Sequence, residues 1–386
     1  AWYRPERMIL VLVGDFHVKT AEQLIKDQFG NMAPRGPGRD LPVLGHMAHK
    51  GNKFFYHKEA DAGATTVAIE SVVQADAPDD TLETQQKKLL QDLAVHILQK
   101  RLESILQEPG TPLTSANNGV GYFLRQVNYA EIQAECKPED WQKALSMLDQ
   151  TLRTALKYGF TTTELFVAKG DFEALLKREA KKAQTRESKA VAREIMASIS
   201  EWKVLQSPGQ HLERIAPALK AATLDQVNQA LIDMWQTPNR IVLVTGNADL
   251  ASKGDAPHAQ IRAAYLASQQ QRLTPPVNKE LSVFPYLPLP ETPGQVVQRE
   301  RFDDLGVEKV VFANGFTLWL KPTRYEANQV LAVLSFGAGR FSEPMDQPGL
   351  AQWTEAVVNE SGFGALDRIS LEEALTGRWA DIKLDV

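Results

Sequence analysis

Residues 339–362, GRFSEPMDQPGLAQWTEAVVNESG, form the stretch that decides the fold. The pair Pro348-Gly349 closes a turn after a run rich in β-forming residues, so a strand is predicted at residues 329–336. Four apolar residues then recur with the spacing of one helix face: Leu350, Trp353, Ala356 and Val357. The stretch therefore predicts a strand, a turn and a helix whose apolar face packs into a core.

This order of elements, with Gly-Arg, an acidic-Pro turn and Pro-Gly-Leu-Ala, resembles the opening of the repeated module in the insulinase/pitrilysin family of zinc peptidases. In the family's active module, the resemblance implies, the helix reads H-x-x-E-H, with two zinc-binding histidines and a general-base glutamate. The same places here hold Gln352, Glu355 and Ala356. Alanine has no donor atom and glutamine is not a usual zinc ligand. We therefore expect no catalytic and no metal-binding residues in this chain.

A second segment resembles the same family. Residues 3–15 are similar to its Y-R-P-x-x-M-x-L-V-x-V-G-D segment, which the resemblance places at the end of the first module, downstream of the zinc site. Residues 238–247 repeat this pattern with one residue deleted, which indicates a duplicated domain with a period of about 230 residues. A chance similarity between two buried strands, the first at residues 8–13, is the alternative.

In the segment between these two similar stretches, predicted strands and predicted helices are grouped separately and do not alternate regularly. Strands are predicted at residues 53–57 and 65–73, and two or three more within residues 113–136, with a turn at Asn118-Gly119. Helices are predicted at residues 80–107, 139–157, 163–183, 187–200 and 224–235, the last behind the capping pair Thr223 and Gln226. The first of these helices has an apolar stripe formed by Leu89, Leu90, Leu93, Ile97, Leu98, Leu102, Ile105 and Leu106. This segregation predicts an α+β fold, an antiparallel-rich sheet with helices packed on one face. The resemblance implies repeated modules of the insulinase and mitochondrial-processing-peptidase type.

The predicted organisation has four parts. Residues 1–45 are the remnant of a first module, and residues 46–250 form a complete second module. Residues 251–300 form a linker, helical at residues 256–271 and then rich in proline. Residues 301–386 begin a third, degenerate module with a hairpin at residues 309–320 and a last strand at residues 380–386.

Composition excludes several classes of protein. The chain has 386 residues, 43% of them hydrophobic, which is enough for sizeable cores. A net charge of −5 gives no electrostatic footprint for nucleic acid. An 18-residue apolar run is lacking, so no membrane insertion is expected. The single cysteine, Cys136, rules out an intrachain disulfide. Because the chain opens mid-pattern, we expect an omitted upstream segment.

Other candidate residues favour structural roles. His46 and His49, with His57 nearby, have an H-x-x-H spacing, but glycines bracket the pair and no acidic or cysteine partner lies at ligand spacing. His96 falls in a leucine-rich helix and is expected to pack locally. Residues 337–339 form G-x-G without a third glycine, so a nucleotide loop is not predicted. The basic run at residues 177–186 is interpreted as a solvated helix face.

The resemblance implies a fragment of a bacterial metalloendopeptidase. In the full-length protein, zinc would be bound upstream and would activate the water that cuts peptides or unfolded polypeptides inside a closed chamber. This segment would bind no zinc, cut nothing, and build the chamber wall and hinge. A periplasmic or cell-envelope location is implied, with the cytoplasm as the alternative. The competing function is a non-catalytic scaffold or partner subunit for assembly or substrate presentation, and either protein could form a homo-oligomer or bind a partner module.

Overall fold

A computed structural model of the chain describes residues 3–34, 36–40, 42–47, 49–251, 256–378 and 380–386. Contacts divide the chain into two compact units. The first comprises residues 1–168, 186–207 and 213–277, and the second comprises residues 169–185, 208–212 and 278–386. The first unit contains a five-stranded sheet, and the second contains a three-stranded sheet.

The five-stranded sheet has the spatial order β1-β5-β2-β4-β3. Its strands are β1 (Lys53–Lys58), β2 (Thr65–Gln74), β3 (Leu113–Phe123), β4 (Val127–Cys136) and β5 (Ile241–Gly246). Strands β1 and β5 are parallel, and the other neighbouring pairs are antiparallel. The predicted antiparallel-rich sheet is therefore confirmed.

Within the described residues, eight α-helices precede the second sheet along the chain. They are α1 (Val18–Phe29), α2 (Leu82–Leu106), α3 (Trp141–Tyr158), α4 (Thr162–Lys182), α5 (Ser188–Ser200), α6 (Pro208–Ala221), α7 (Leu224–Met234) and α8 (Pro257–Gln269). Helix α2 packs on β3, α3 packs on β2 and β4, and α8 packs on β1 and β5. The predicted α+β class, with helices on one face of the sheet, is confirmed.

The core lies between that sheet face and the helices. Along β4, Ala130, Ile132 and Ala134 are buried while the residues between them are more exposed. On the helix side, Leu93 and Leu148 are fully buried. The period of two on the strand and of 3.6 on the helix brings these apolar side chains together.

Helix starts follow local chemistry that could be predicted. Thr223 and Gln226 form the predicted capping box of α7, in which the Thr223 hydroxyl accepts from the Gln226 N–H. Thr81 and Thr84 do the same for α2. Each cap satisfies backbone N–H groups that have no partner within the helix.

The predicted turn at Asn118-Gly119 is wrong, because both residues lie inside β3. The Asn118 side chain donates to the Val95 carbonyl of α2 at 3.1 Å, and its backbone N–H donates to Gln99 Oε1 at 3.2 Å. Through these hydrogen bonds, Asn118 connects β3 to α2. The turn is instead formed by Leu124 and Arg125, which have φ of 49° and 59°.

Helix α6 was not predicted. Its interior contains Pro217, which from sequence alone indicates a helix break. Burial of Ile215 and Leu219 on one side stabilises the helix despite the missing hydrogen bond. Tertiary packing therefore overrides the local signal here.

The predicted strand at residues 8–13 is also wrong. These residues, all of which the structure describes, have no strand assignment. Their apolar side chains are largely exposed, with Ile9 at 67% and Leu10 at 55%. A strand needs a neighbour for its backbone groups, and the described residues supply none. Helix α1 follows this segment, at Val18–Phe29.

The second unit contains β6 (Val296–Phe302), β7 (Val307–Phe312), β8 (Thr317–Leu320), α9 (Leu350–Glu360) and α10 (Arg368–Ala374). The predicted hairpin is confirmed by the antiparallel pair β7 and β8. The strands predicted at residues 329–336 and 380–386 are wrong, since these described residues form neither helix nor strand. Val330 and Val333 are 92% and 91% exposed, because no neighbouring strand covers them.

Helix α8 packs with the sheet module. Ile261 and Tyr265 are buried, and the hydroxyl of buried Ser268 donates to Asp149 of α3 at 2.5 Å. The helical part of residues 251–300 is thus attached to the first unit. Residues 270–295, which include the proline-rich segment, contain neither helix nor strand.

The end of β5 is held by a network of polar contacts around Gly246. The Glu59 N–H donates to the Gly246 carbonyl at 2.8 Å, and Thr65 Oγ1 donates to Asn247 Oδ1 at 2.8 Å. Gly246 has φ of 106°, and a Cβ there would lie 2.2 Å from the Ala64 carbonyl oxygen. Only glycine can occupy this position without strain.

We predict that Gly246→Ala lowers the free energy of unfolding by at least about 2 kcal/mol, because the new methyl group clashes with backbone in a conformation that disfavours L-residues. Denaturant unfolding followed by circular dichroism measures this. Gly63→Ala is the matched control, since a Cβ at Gly63 meets no atom within 4 Å. Equal stability losses in both variants would contradict the role of Gly246.

Candidate functional site

Helix α9 contains the three positions at which the resemblance placed a zinc site. Gly349, with φ of 93°, precedes the helix, and the Leu350 N–H donates to Glu343 Oε1 at 2.7 Å. The predicted helix is confirmed, but the prediction that its apolar face is core is wrong. Leu350, Trp353 and Val357 are 44%, 71% and 55% exposed.

Glu355 makes a structural contact with the end of the chain. Its Oε2 accepts from the Val386 N–H at 3.4 Å, and one turn later the Asn359 side chain exchanges two hydrogen bonds with the backbone of Leu384. Gln352 and Ala356 are exposed on the same helix. The donor set is one carboxylate, one amide and no histidine. These residues do not fit a catalytic zinc ion.

The structure does not bring the three candidate histidines together. His49 Nδ1 lies 3.2 Å from the Gly51 carbonyl, beside the start of β1, whereas His57 lies near its far end and pairs with Thr245. His57 follows Lys53 by four residues along the strand, which is a distance of about 13 Å. Among the described residues, no group of three His, Cys, Asp or Glu side chains could hold a metal ion. His96 is half-buried on α2.

The other two sequence candidates lie in the second unit or at its boundary. Gly339 starts a short 3-10 turn at Gly339–Ser342, with no phosphate-binding helix after it. Of the basic run, Lys177 pairs with Glu173, and Lys182 pairs with Glu326. Lys177 is 57% exposed, as expected of a solvated helix face.

The sheet of the first unit has a second face, opposite the buried core, which is here called the open face. Cross-strand register defines it: Glu70 pairs with Glu131, Ala68 with Gln133 and Val72 with Tyr129. Strand β3 adds Asn117, Gly119 and Gly121 beside these residues. Strand β1 adds Phe55 and His57 at the edge. Sequence alone could not assemble this surface, because it depends on the register between strands.

Two carboxylates lie directly opposite each other on the open face. Burial, and then the charge of Glu131, raise the pKa of Glu70 above its ordinary value. Like charges at paired sheet positions are destabilising. The open face is therefore acidic at its centre, and this acidity reduces stability at neutral pH.

Comparison with known proteins found sequences and structures that are similar to this chain. Residues 1–170 match the family described as Peptidase M16 inactive domain. This match covers the first part of the chain and gives its similarity to M16, or insulinase-like, peptidases. A probable zinc protease, PqqL of Haemophilus influenzae, is 22% identical over 372 residues, which cover 95% of this chain and 39% of that protein.

Solved M16 structures share the fold. The periplasmic protease PqqL from Escherichia coli superposes with a TM-score of 0.60 at 16% identity, covering 93% of this chain and 39% of that one. The ferredoxin protease FusC, solved in complex with Arabidopsis ferredoxin, gives a TM-score of 0.55 at 16% identity, covering 94% and 40%. The chain thus spans about two fifths of the length of these M16 relatives.

The helices were also compared with the requirements of a membrane span. Within the part of the chain that the structure describes, none is both long enough and apolar enough to cross a bilayer.

We predict that Glu70→Gln raises the free energy of unfolding at pH 7 by about 0.5 to 1 kcal/mol. Because the raised pKa means that folding favours the protonated carboxyl, wild-type stability falls as pH rises through the range above the unfolded pKa. The gain should vanish below about pH 3, where the carboxyl is protonated in both states.

Urea unfolding of wild type and variant between acidic and neutral pH tests this. Glu131→Gln should raise the free energy of unfolding by a similar amount. The double variant should gain less than the sum of the two single variants, because both substitutions remove the same repulsion. A gain that is equal at acidic and neutral pH would contradict the repulsion.

Cys136 supplies a second prediction. Its side chain is 1% exposed, and burial, with Asp140 and Glu139 nearby, raises its pKa to about 11. At pH 8 we expect iodoacetamide to alkylate the folded chain about 100-fold more slowly than an ordinary thiol, because so little thiolate is present. The unfolded chain in urea is the control. Equally fast alkylation of folded and unfolded protein would show that the thiol is accessible.

Proposed function

We propose that this chain is the non-catalytic middle part of a zinc-dependent metalloendopeptidase that cuts peptides or unfolded polypeptides in a closed chamber. The observation that carries the proposal is α9, which keeps its place after the hairpin and the Pro-Gly turn but presents Gln352 and Ala356 where zinc would need donors. The match to an inactive domain and the zinc-protease names of the relatives support it. Zinc would then be held outside residues 1–386.

In this proposal the sheet module contributes a chamber wall. Helices pack on one side of the sheet, and the open face presents polar side chains and two β3 glycines. A sheet face that carries polar side chains can line a water-filled chamber and contact an extended polypeptide. The proposed wall comprises residues 46–250, with residues 1–45 as the remnant of the preceding module.

The hinge is proposed within residues 251–300. The segment after α8 has six prolines between residues 274 and 293 and neither helix nor strand. Proline-rich segments without secondary structure act as semi-rigid spacers. Residues 301–386 would begin the third module. A periplasmic location is proposed because one relative with this fold is a periplasmic protease.

The test measures zinc and hydrolysis in two proteins. The purified chain of residues 1–386 should contain far less than one zinc per molecule by elemental mass spectrometry and should not cut an unfolded polypeptide. The whole protein that contains it should cut the same substrate and lose this activity when a chelator removes zinc.

A variant of α9 is the positive control for zinc binding. Gln352→His combined with Ala356→His restores H-x-x-E-H spacing on an exposed helix, so the variant should bind zinc that the unmodified chain does not retain. Stoichiometric zinc in the unmodified chain would contradict a non-catalytic role. Absence of zinc-dependent hydrolysis by the whole protein would instead favour a scaffold or partner subunit.

A further inference from the structure

A cavity of about 750 Å³ opens in the first unit where α3 and α8 end. Three of its lining side chains are cationic: Arg153, Lys157 and Arg272. Gln269 and Gln271 add two amides, and the described lining residues include no aspartate or glutamate. The volume lies within the range of small-molecule sites.

Arg153 is already engaged by the fold. Its Nε donates to Asp149 Oδ2 at 2.8 Å, and its Nη2 donates to the Ser268 carbonyl at 2.7 Å. Asp149 is 2% exposed, so the carboxylate of this ion pair is buried, whereas Arg153 lines the cavity. Arg153 therefore neutralises Asp149 and satisfies a carbonyl near the C-terminus of α8.

Lys157 and Arg272 remain without a carboxylate. Lys157 Nζ lies 5.0 Å from the centre of the Tyr158 ring, and the Tyr158 hydroxyl donates to the Leu273 carbonyl at 3.3 Å. Within the described parts of the chain, neither Lys157 nor Arg272 makes an ion pair. Two cations thus face one concave surface with uncompensated charge.

Helix dipoles explain only in part why these two cations lack a carboxylate partner. Cations near a helix C-terminus are favourable, and Lys157 lies in the last turn of α3. Arg272 follows α8 by three residues, outside the helix. A cation there gains little from the dipole, whose effect falls off within the last turn. Helix ends therefore do not account for both cations, although both line the same cavity.

We propose that this cavity binds a compact multivalent anion of the phosphate or carboxylate class between Lys157 and Arg272. The guanidinium would bind two anion oxygens, the ammonium a third, and the glutamine amides would donate to the remainder. The anion would tie the first residues after α8 to α3. This site does not depend on the proposed peptidase function, and its test involves no hydrolysis.

Isothermal titration of the chain with pyrophosphate and, separately, with citrate at matched ionic strength tests the site. At least one anion should bind saturably with one site per chain, and the tighter anion identifies the class. In the Lys157→Gln, Arg272→Gln double variant, binding should weaken by about tenfold or more, because two charge-assisted contacts are lost.

The matched control removes the same two charges from exposed positions on α5, as Lys189→Gln with Arg193→Gln, and should bind like wild type. Circular dichroism confirms that each variant folds. Saturable binding to neither anion in the wild-type chain would overturn the proposal. An equal loss of affinity in both double variants would also overturn it, since net charge rather than the cavity would then account for binding.

Discussion

The five-stranded sheet of the first unit depends on the insertion of β5 between two strands that lie far earlier in the sequence. Strand β5 lies between β1 and β2, so the residues at 241–246 must return to strands that lie more than 160 residues earlier in the chain. Without β5, β1 has no neighbour in the sheet, and the surface on which α8 packs is incomplete. The helices between β4 and β5 must therefore fold compactly enough to bring β5 back, and such long-range pairing is slow to form.

The polar contacts at the end of β5 explain how this strand is held in register with its neighbours. Tyr56 donates from its hydroxyl to the Ala248 carbonyl at 2.9 Å and accepts from the Leu250 N–H at 3.2 Å. Thr65 Oγ1 accepts from the Ala248 N–H at 2.9 Å. Because a slip of one residue would reverse every side chain of β5, these contacts from β1 and β2 select the register that buries Val242 and Val244.

Elements with strong local signals were predicted from the sequence, and elements that depend on distant partners were not. The Thr223 capping box and the apolar stripe of α2 are local, and both predictions are confirmed. An apolar run such as residues 8–13 has the composition of a strand, but composition supplies no partner strand. The helix containing Pro217 was missed for the opposite reason. Packing against distant residues stabilises it although the proline is a local helix-breaking signal.

The same distinction applies to the sites. The sequence alone shows that Gln352 and Ala356 are not histidines. No structure is needed to predict that these positions lack zinc ligands. The Glu70–Glu131 opposition requires the register of β2 and β4, and the cavity joins Lys157 to a residue 115 positions later. Neither has a local sequence signal.

Exposed apolar residues connect these observations with the proposed function. Ile9 in the first unit, and Val330, Val333 and Trp353 in the second, are each more than half exposed within the described residues. Large exposed apolar patches usually mark interaction surfaces. Under the proposed function, these exposed apolar residues would contact other parts of the metalloendopeptidase. The apolar composition that predicted strands and a core face would then describe the assembled protein, and the exposed side chains would mark where this chain joins it.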